Sequence, residues 1–230
     1  MFNFLIGVDL GQARDYTAIV ILQRREILAP EGLNVEQYNP ALQAGVSIVN
    51  LFELRHIERP ALGTSYPAIV DRLKIILSAS ELQTQLVVVV DQTGCGRPVL
   101  DMMRREGIGP LVGITVTGGA TVQETEDGYH VPKKELVSAL QIYLQSGRLK
   151  ISSALPEAPT LRNEILNFRV KVRLKTGEES FEAWREGEHD DLVLATALPL
   201  WYAHLHDHPQ PLADQAEAEA AVYDPLRWNL

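Results

Sequence analysis

Apolar residues fall along this chain in two rhythms. Short unbroken runs alternate with stripes of period 3.6. The run "FLIGVDLG" (4–11) ends in Asp9 and a glycine and predicts a buried strand. "TAIVIL" (17–22) is β-branched and apolar, and the short "GQARDY" before it suits a hairpin, so the two strands are expected to be antiparallel. Residues 28–45, rich in Pro, Gly and Asn, read as a loop or insertion, and "VSIVNLFELRHI" (46–57) as a third strand. The rhythm then changes: Ile69, Leu73, Ile76 and Leu77 mark one face of a helix over 65–79. "LVVVVD" (86–91) is a wholly apolar strand closed by Asp91. A helix over 96–107, a strand over 111–119, a helix over 131–147 and a helix near 157–167 follow. "FRVKVRLKTGEESFEA" (168–183) alternates strictly in its first half and predicts a hairpin, and a last helix spans 190–205.

Three strands, then strands alternating with helices, then a closing helix describe an α/β layered domain around a mixed central sheet. It is expected to fill residues 1–206, with the Pro-, Ala- and Glu-rich segment 207–230 as an appendage. Composition changes this picture little. With 230 residues and 46% hydrophobic content, the chain is an ordinary globular one. It has no apolar run long enough to cross a bilayer, and its first residues lack the features of a secretory signal. A single cysteine, Cys95, fits a reducing compartment and reads as a small structural residue in a glycine-rich turn. The net charge of −9 excludes a generally basic nucleic-acid-binding surface but leaves room for a local basic strip.

Candidate chemistry lies at the ends of elements. Asp9 ends the first strand, Asp91 ends the most apolar one, and Asp190 and Asp191 open the last helix beside His189. Ligands of open α/β sheets collect at the carboxyl ends of central strands. If the strands at 4–10 and 86–91 are parallel neighbours, these carboxylates come together and repel one another unless a proton or cation intervenes. Hard oxygen donors suit Mg²⁺ or Mn²⁺, and two such ions hydrolyse phosphodiesters by activating water and stabilising the leaving oxygen. Plainer roles are open for each residue: a turn former for Asp9, an Asx-turn for Asp91, and a helix cap with a solvated neighbour for the pair. Along the predicted strand at 168, Arg169, Lys171, Arg173 and Lys175 would share one face, suited to tracking a phosphate backbone or to protecting an edge strand. Lys133 and Lys134, at a helix start, are further candidates for DNA contact.

The segments "GVDLGQARDYTAIVIL", "VVVDQTGCGRPVLDMMRREG", "VPKKELVSALQIYLQSGRLKI" and "EHDDLVLATALPLW", in this order, resemble the nuclease domain of phage terminase large subunits over about residues 3 to 205. The resemblance implies a ribonuclease H-like fold and a metal-dependent endonuclease acting on double-stranded DNA during viral DNA packaging. It matches Asp9 and Asp91 to the first and second metal-binding carboxylates and places the third in the Asp190–Asp191 pair. Asp191 is favoured, because it shares a helix face with the small Ala195. Asp190 would then cap the helix or support the metal from farther out, and His189 would orient a carboxylate or contact phosphate. The resemblance also implies the cytoplasm of a bacterial host, a phage or prophage origin, and partners such as a separate terminase ATPase, a small subunit or a portal. No Gly-x-x-x-x-Gly-Lys-Ser/Thr motif occurs, so an isolated, stand-alone or split nuclease is expected. A RuvC-like junction resolvase uses a similar carboxylate set, and a non-catalytic packaging or scaffold component would keep the fold alone. An actin-like ATPase also opens with "GVDLG" but needs two related halves.

Overall fold

The computed structural model describes residues 2–11, 15–28, 38–39, 44–45, 48–82, 85–94, 96–174 and 190–207, with 28, 38–39, 44–45, 48 and 168–174 described in backbone only. In chain order the strands and helices begin with β1 (Phe4–Asp9), β2 (Ala18–Leu28), the short β3 (Tyr38–Asn39) and β4 (Ala44–Gly45), and β5 (Ile48–Glu58). There follow α1 (Tyr66–Leu77), β6 (Leu86–Asp91), α2 (Gly96–Arg105), β7 (Leu111–Thr117), β8 (Gln123–Thr125) and β9 (Gly128–Pro132). The chain continues with α3 (Lys133–Gln145), β10 (Leu149–Ile151), α4 (Ala158–Leu174) and α5 (Asp191–Asp207). Among the described residues no helix is long and apolar enough to cross a membrane.

Eight strands form one sheet in the order β10-β5-β2-β1-β6-β7-β9-β8. β1 pairs antiparallel with β2, as the short connection predicted, and parallel with β6, the condition on which Asp9 and Asp91 come together. β6, β7 and β9 continue in parallel, β5 pairs antiparallel with β2, and β10 lies parallel to β5. Six strands therefore run one way, and only β2 and β8 oppose them. This is the expected α/β arrangement, a mixed sheet flanked by helices.

Period-two alternation decides which face each strand residue serves. Leu5, Val87 and Val89 join a core with residues of α3, α4 and α5, including Leu140, Leu161 and Leu198. Ile6, Val8, Val88 and Val90 point the other way, against Ile69 and Leu73 of α1 and Leu100 and Met103 of α2. Valine and isoleucine suit these strands because both of their faces are covered.

Helix α5 approaches the sheet closely at Gly7. A Cβ there would lie 1.8 Å from the Ala195 carbonyl oxygen and 2.7 Å from Pro199 Cδ. Pro199 lies inside α5 and has no N–H to donate to the Ala195 carbonyl four residues earlier, which instead faces the bare backbone of Gly7. Intimate seating of α5 was expected from Ala195 alone; the space comes from Gly7.

Two expectations need correction. Residues 168–174 are not a strand, because α4 runs through them to Leu174. Leu161, Ile165, Phe168 and Val172 carry a helical spacing straight across the alternating stretch, and the longer period prevails. The remainder of the expected hairpin, 175–183, lies outside the described residues, as do residues 208–230 of the expected appendage. The segment 28–45 is not wholly loop: Leu28 ends β2, and β3 pairs with β4 as a small ribbon.

Gly7→Ala forces a side chain into backbone and should destabilise the fold by about 3 kcal/mol, read from the urea midpoint by circular dichroism. A change below about 1 kcal/mol would mean that α5 does not sit on β1 at that point.

Candidate active site

The parallel register of β1 and β6 pairs Val8 with Val90, so Asp9 and Asp91 are the next residues along on neighbouring strands. Both continue the odd-numbered face that α5 covers. Asp9 is 8% exposed. The amide of Thr93 donates to Asp91 Oδ1 at 2.7 Å, which is the Asx-turn open to Asp91 from sequence. This bond fixes one oxygen of the carboxylate where the chain turns sharply into α2. The Thr93 hydroxyl oxygen in turn accepts from the amide of Val116 on β7 at 2.8 Å.

The first turn of α5 reaches the same edge of the sheet. Leu194 N donates to the Asp190 carbonyl at 2.9 Å, so Asp190 stands at the cap position. Its side chain does not act as the cap. The free amides of Leu192 and Val193 donate instead to Glu164 Oε2, at 3.0 and 3.2 Å, from α4. Asp190 Oδ2 accepts from Lys133 Nζ at 3.0 Å. The expected capping role of Asp190 is therefore filled by a residue 26 positions earlier in the chain, which releases both aspartates from it.

Asp191, 5% exposed, is held by another cation. Arg59, one residue beyond β5, donates from a single terminal nitrogen to Asp191 Oδ2 and to Glu164 Oε1, each at 3.0 Å. Its guanidinium also lies 4.4 Å from the centroid of the Tyr16 ring, within cation–π range. Arg59 and Glu164 are the site residues that sequence reasoning missed. A signal for Glu164 was present: it falls beside Leu161 and Ile165 on the apolar stripe of its helix, where a carboxylate needs a reason to be.

The electrostatics follow from this crowding. Burial pushes the Asp9 carboxyl well above the ordinary range, and the charges of Asp91, Asp191 and Asp190 push it further, against a smaller opposing pull from Lys133. Burial likewise raises Glu164 to about 7, with Asp191 adding to the rise and the two α5 amides and Arg59 opposing it. One residue before Arg59, burial acts on Glu58 as well. There the hydrogen bonds from His56 and Arg72 prevail and hold it at about 2.

Asp9, Asp91, Asp190, Asp191 and Lys133 thus share one electrostatic site. Lys134, next along α3, is half-buried. Arg169, Lys171 and Arg173 lie on α4, where residues two apart do not share a face, so the single-faced basic strip does not form there. Lys175, His189 and Cys95 lie outside the described residues. The donor set fits a hard divalent cation chemically: all oxygen, mutually repelling, and anchored on backbone ends. Among the described residues, no group of three or more His, Cys, Asp or Glu side chains is arranged to hold one ion. Asp190 and Asp191 are turned to Lys133 and Arg59.

No family profile and no curated protein matches the chain. Among solved structures it is similar to the large terminase nuclease from the thermophilic phage G20c, at 19% identity and a TM-score of 0.47, covering 85% of this chain and 80% of that one. It is also similar to the Mn-soaked human cytomegalovirus terminase nuclease domain, at 12% identity and a TM-score of 0.47 over 87% and 82% of the two chains. A second structure of that domain gives 12% and 0.42 over 88% and 84%. The likeness is to terminase nucleases.

Glu164→Ala leaves the α5 amides and Arg59 without this carboxylate and should cost about 2 kcal/mol, measured by urea unfolding. The folded-state value of Glu164 lies above the ordinary 4.5. Its contribution to stability is therefore fully present below about 4.5 and is lost as pH rises through about 7. Glu164→Gln should flatten that part of the stability–pH curve; an unchanged slope would show that Glu164 does not titrate there.

Proposed function

We propose that this chain is a divalent-metal-dependent DNA endonuclease of the terminase large-subunit type, cutting double-stranded DNA during viral DNA packaging. The observation that carries this reading is the convergence of Asp9, Asp91, Asp190 and Asp191 at the carboxyl edge of the central parallel strands. Such a cluster is unfavourable in a protein that does not use it, since each carboxylate raises the cost of ionising the next. The motif resemblance points to the same chemistry.

In this reading Asp9, Asp91 and Asp191 are the principal metal ligands and Asp190 a further one. Two Mg²⁺ or Mn²⁺ ions supply an activated water and charge stabilisation at the leaving oxygen. The chain supplies placement. Strand register sets the spacing of Asp9 and Asp91, and the Thr93 amide fixes the rotation of the Asp91 carboxylate. The positive end of the α5 dipole faces the acidic groups and moderates their repulsion. Arg59 and Glu164 hold Asp191 and the first turn of α5 in place. Lys134, Arg169, Lys171, Arg173 and Lys175 are assigned to the DNA backbone, and His189 to a carboxylate or phosphate nearby. Backbone contacts of this kind give little sequence preference. The setting is the host cytoplasm, with a terminase ATPase, small subunit or portal as partners.

Supercoiled plasmid, incubated with the protein in Mg²⁺ or Mn²⁺, should be nicked and linearised, and EDTA should stop the reaction. Asp91→Ala should lower the rate by more than the roughly 100-fold that loss of even an outer metal partner costs. An intact plasmid with either metal, or an Asp91→Ala variant as active as the parent, would overturn the reading.

A further inference from the structure

The two adjacent aspartates of α5 are each met by a cation, one a guanidinium and the other an ammonium. Arg59 is fixed from three sides: Glu164, Asp191 and the ring of Tyr16. Lys133 presents a compact ammonium on a flexible stem, with Nζ 3.0 Å from Asp190 Oδ2 and a side chain 14% exposed. Lys133 is also the first residue of α3, which begins after Pro132 with no side-chain cap. A cation at that end of a helix is opposed by the dipole and by the free amides of the first turn. The Asp190 carboxylate it faces favours it there instead. Its charge is felt at Asp9 as well as at Asp190, so it acts on the cluster as a whole.

We infer that Lys133 is the built-in counter-cation of the acidic site: it neutralises Asp190 until a divalent ion enters, and then gives way to it. This rests on the metal-dependent reading above and deepens it. A residue first expected to contact DNA is thereby reassigned to setting the site's affinity for metal. The reason for such a group is physical. Buried like charges destabilise the fold unless something of opposite sign is near. An ammonium tethered by four methylenes supplies that charge and can withdraw; a guanidinium locked in a fork cannot do so as readily. Lys133 is a positioning residue in this account, acting through Asp190 and Asp9 and on no reacting atom.

The test is calorimetric titration of the full chain with MnCl₂, comparing the parent with Lys133→Met and Lys133→Arg, with thermal unfolding and a duplex DNA-binding assay run alongside without metal. Lys133→Met should bind Mn²⁺ roughly tenfold more tightly, the size of effect a neighbouring unit charge has on a partly buried site. Its metal-free form should unfold at a lower temperature, and Lys133→Arg should keep the parental affinity or weaken it. Tighter Mn²⁺ binding by Lys133→Met supports the inference even where the parent binds too weakly to measure. Equal Mn²⁺ affinity in parent and Lys133→Met overturns it while leaving the metal reading intact. Weaker DNA binding with unmoved Mn²⁺ affinity overturns it too and returns Lys133 to the phosphate-contact role. Absence of Mn²⁺ binding in the parent and in both variants overturns the metal reading and this inference with it.

Discussion

Repulsion between carboxylates fixed on backbone is the constraint around which this structure is arranged. Asp9 and Asp91 cannot move apart, because both belong to strands zipped together in parallel register and covered on both faces. Asp190 and Asp191 cannot retreat, because α5 is pressed onto the bare backbone of Gly7. Features around the sheet edge answer that tension: the helix dipole of α5, the ammonium of Lys133 and the guanidinium of Arg59. Buried ionic groups seldom add net stability over apolar packing, so an arrangement this costly points to use rather than to architecture.

Glu164 shows how the fold separates structural work from chemistry. Helix starts are commonly capped by their own first residues, and here two aspartates stand ready to do it. The amides of Leu192 and Val193 are satisfied instead from α4, across a gap in sequence that includes a long stretch outside the described residues. The same carboxylate, through its other oxygen, joins Arg59 and thereby Asp191. One side chain thus ties three elements, the end of β5, α4 and α5, at the point where the acidic groups meet.

Much of the fold was legible because β1 and β6 are apolar runs and α1 and α3 carry clean apolar stripes. Asp9 and Asp91 stood out because each is a charge placed directly after buried valines. The alternating segment at 168–174 misled because seven residues satisfy a period of two while the apolar positions before it keep a period near 3.6, and the helix already under way prevails. The β8–β9 hairpin went unread although Asp127–Gly128 is a turn signal, since its strands are short and half polar. The partners of Lys133, Arg59 and Glu164 could not be read from sequence. Their roles depend on ion pairs spanning 57, 132 and 105 positions, which local patterning does not encode.

On the proposed reading, the edge formed by Asp9 and Asp91 is a cation site. A crystal of the protein soaked in MnCl₂ and measured at the manganese absorption edge tests it most directly. An anomalous peak coordinated by carboxylate oxygens of Asp9 and Asp91, with the Asp190 or Asp191 carboxylate turned toward it, is the predicted result. An ordered, well-measured crystal with no peak at that edge, or with manganese bound only at other surface carboxylates, would contradict the account.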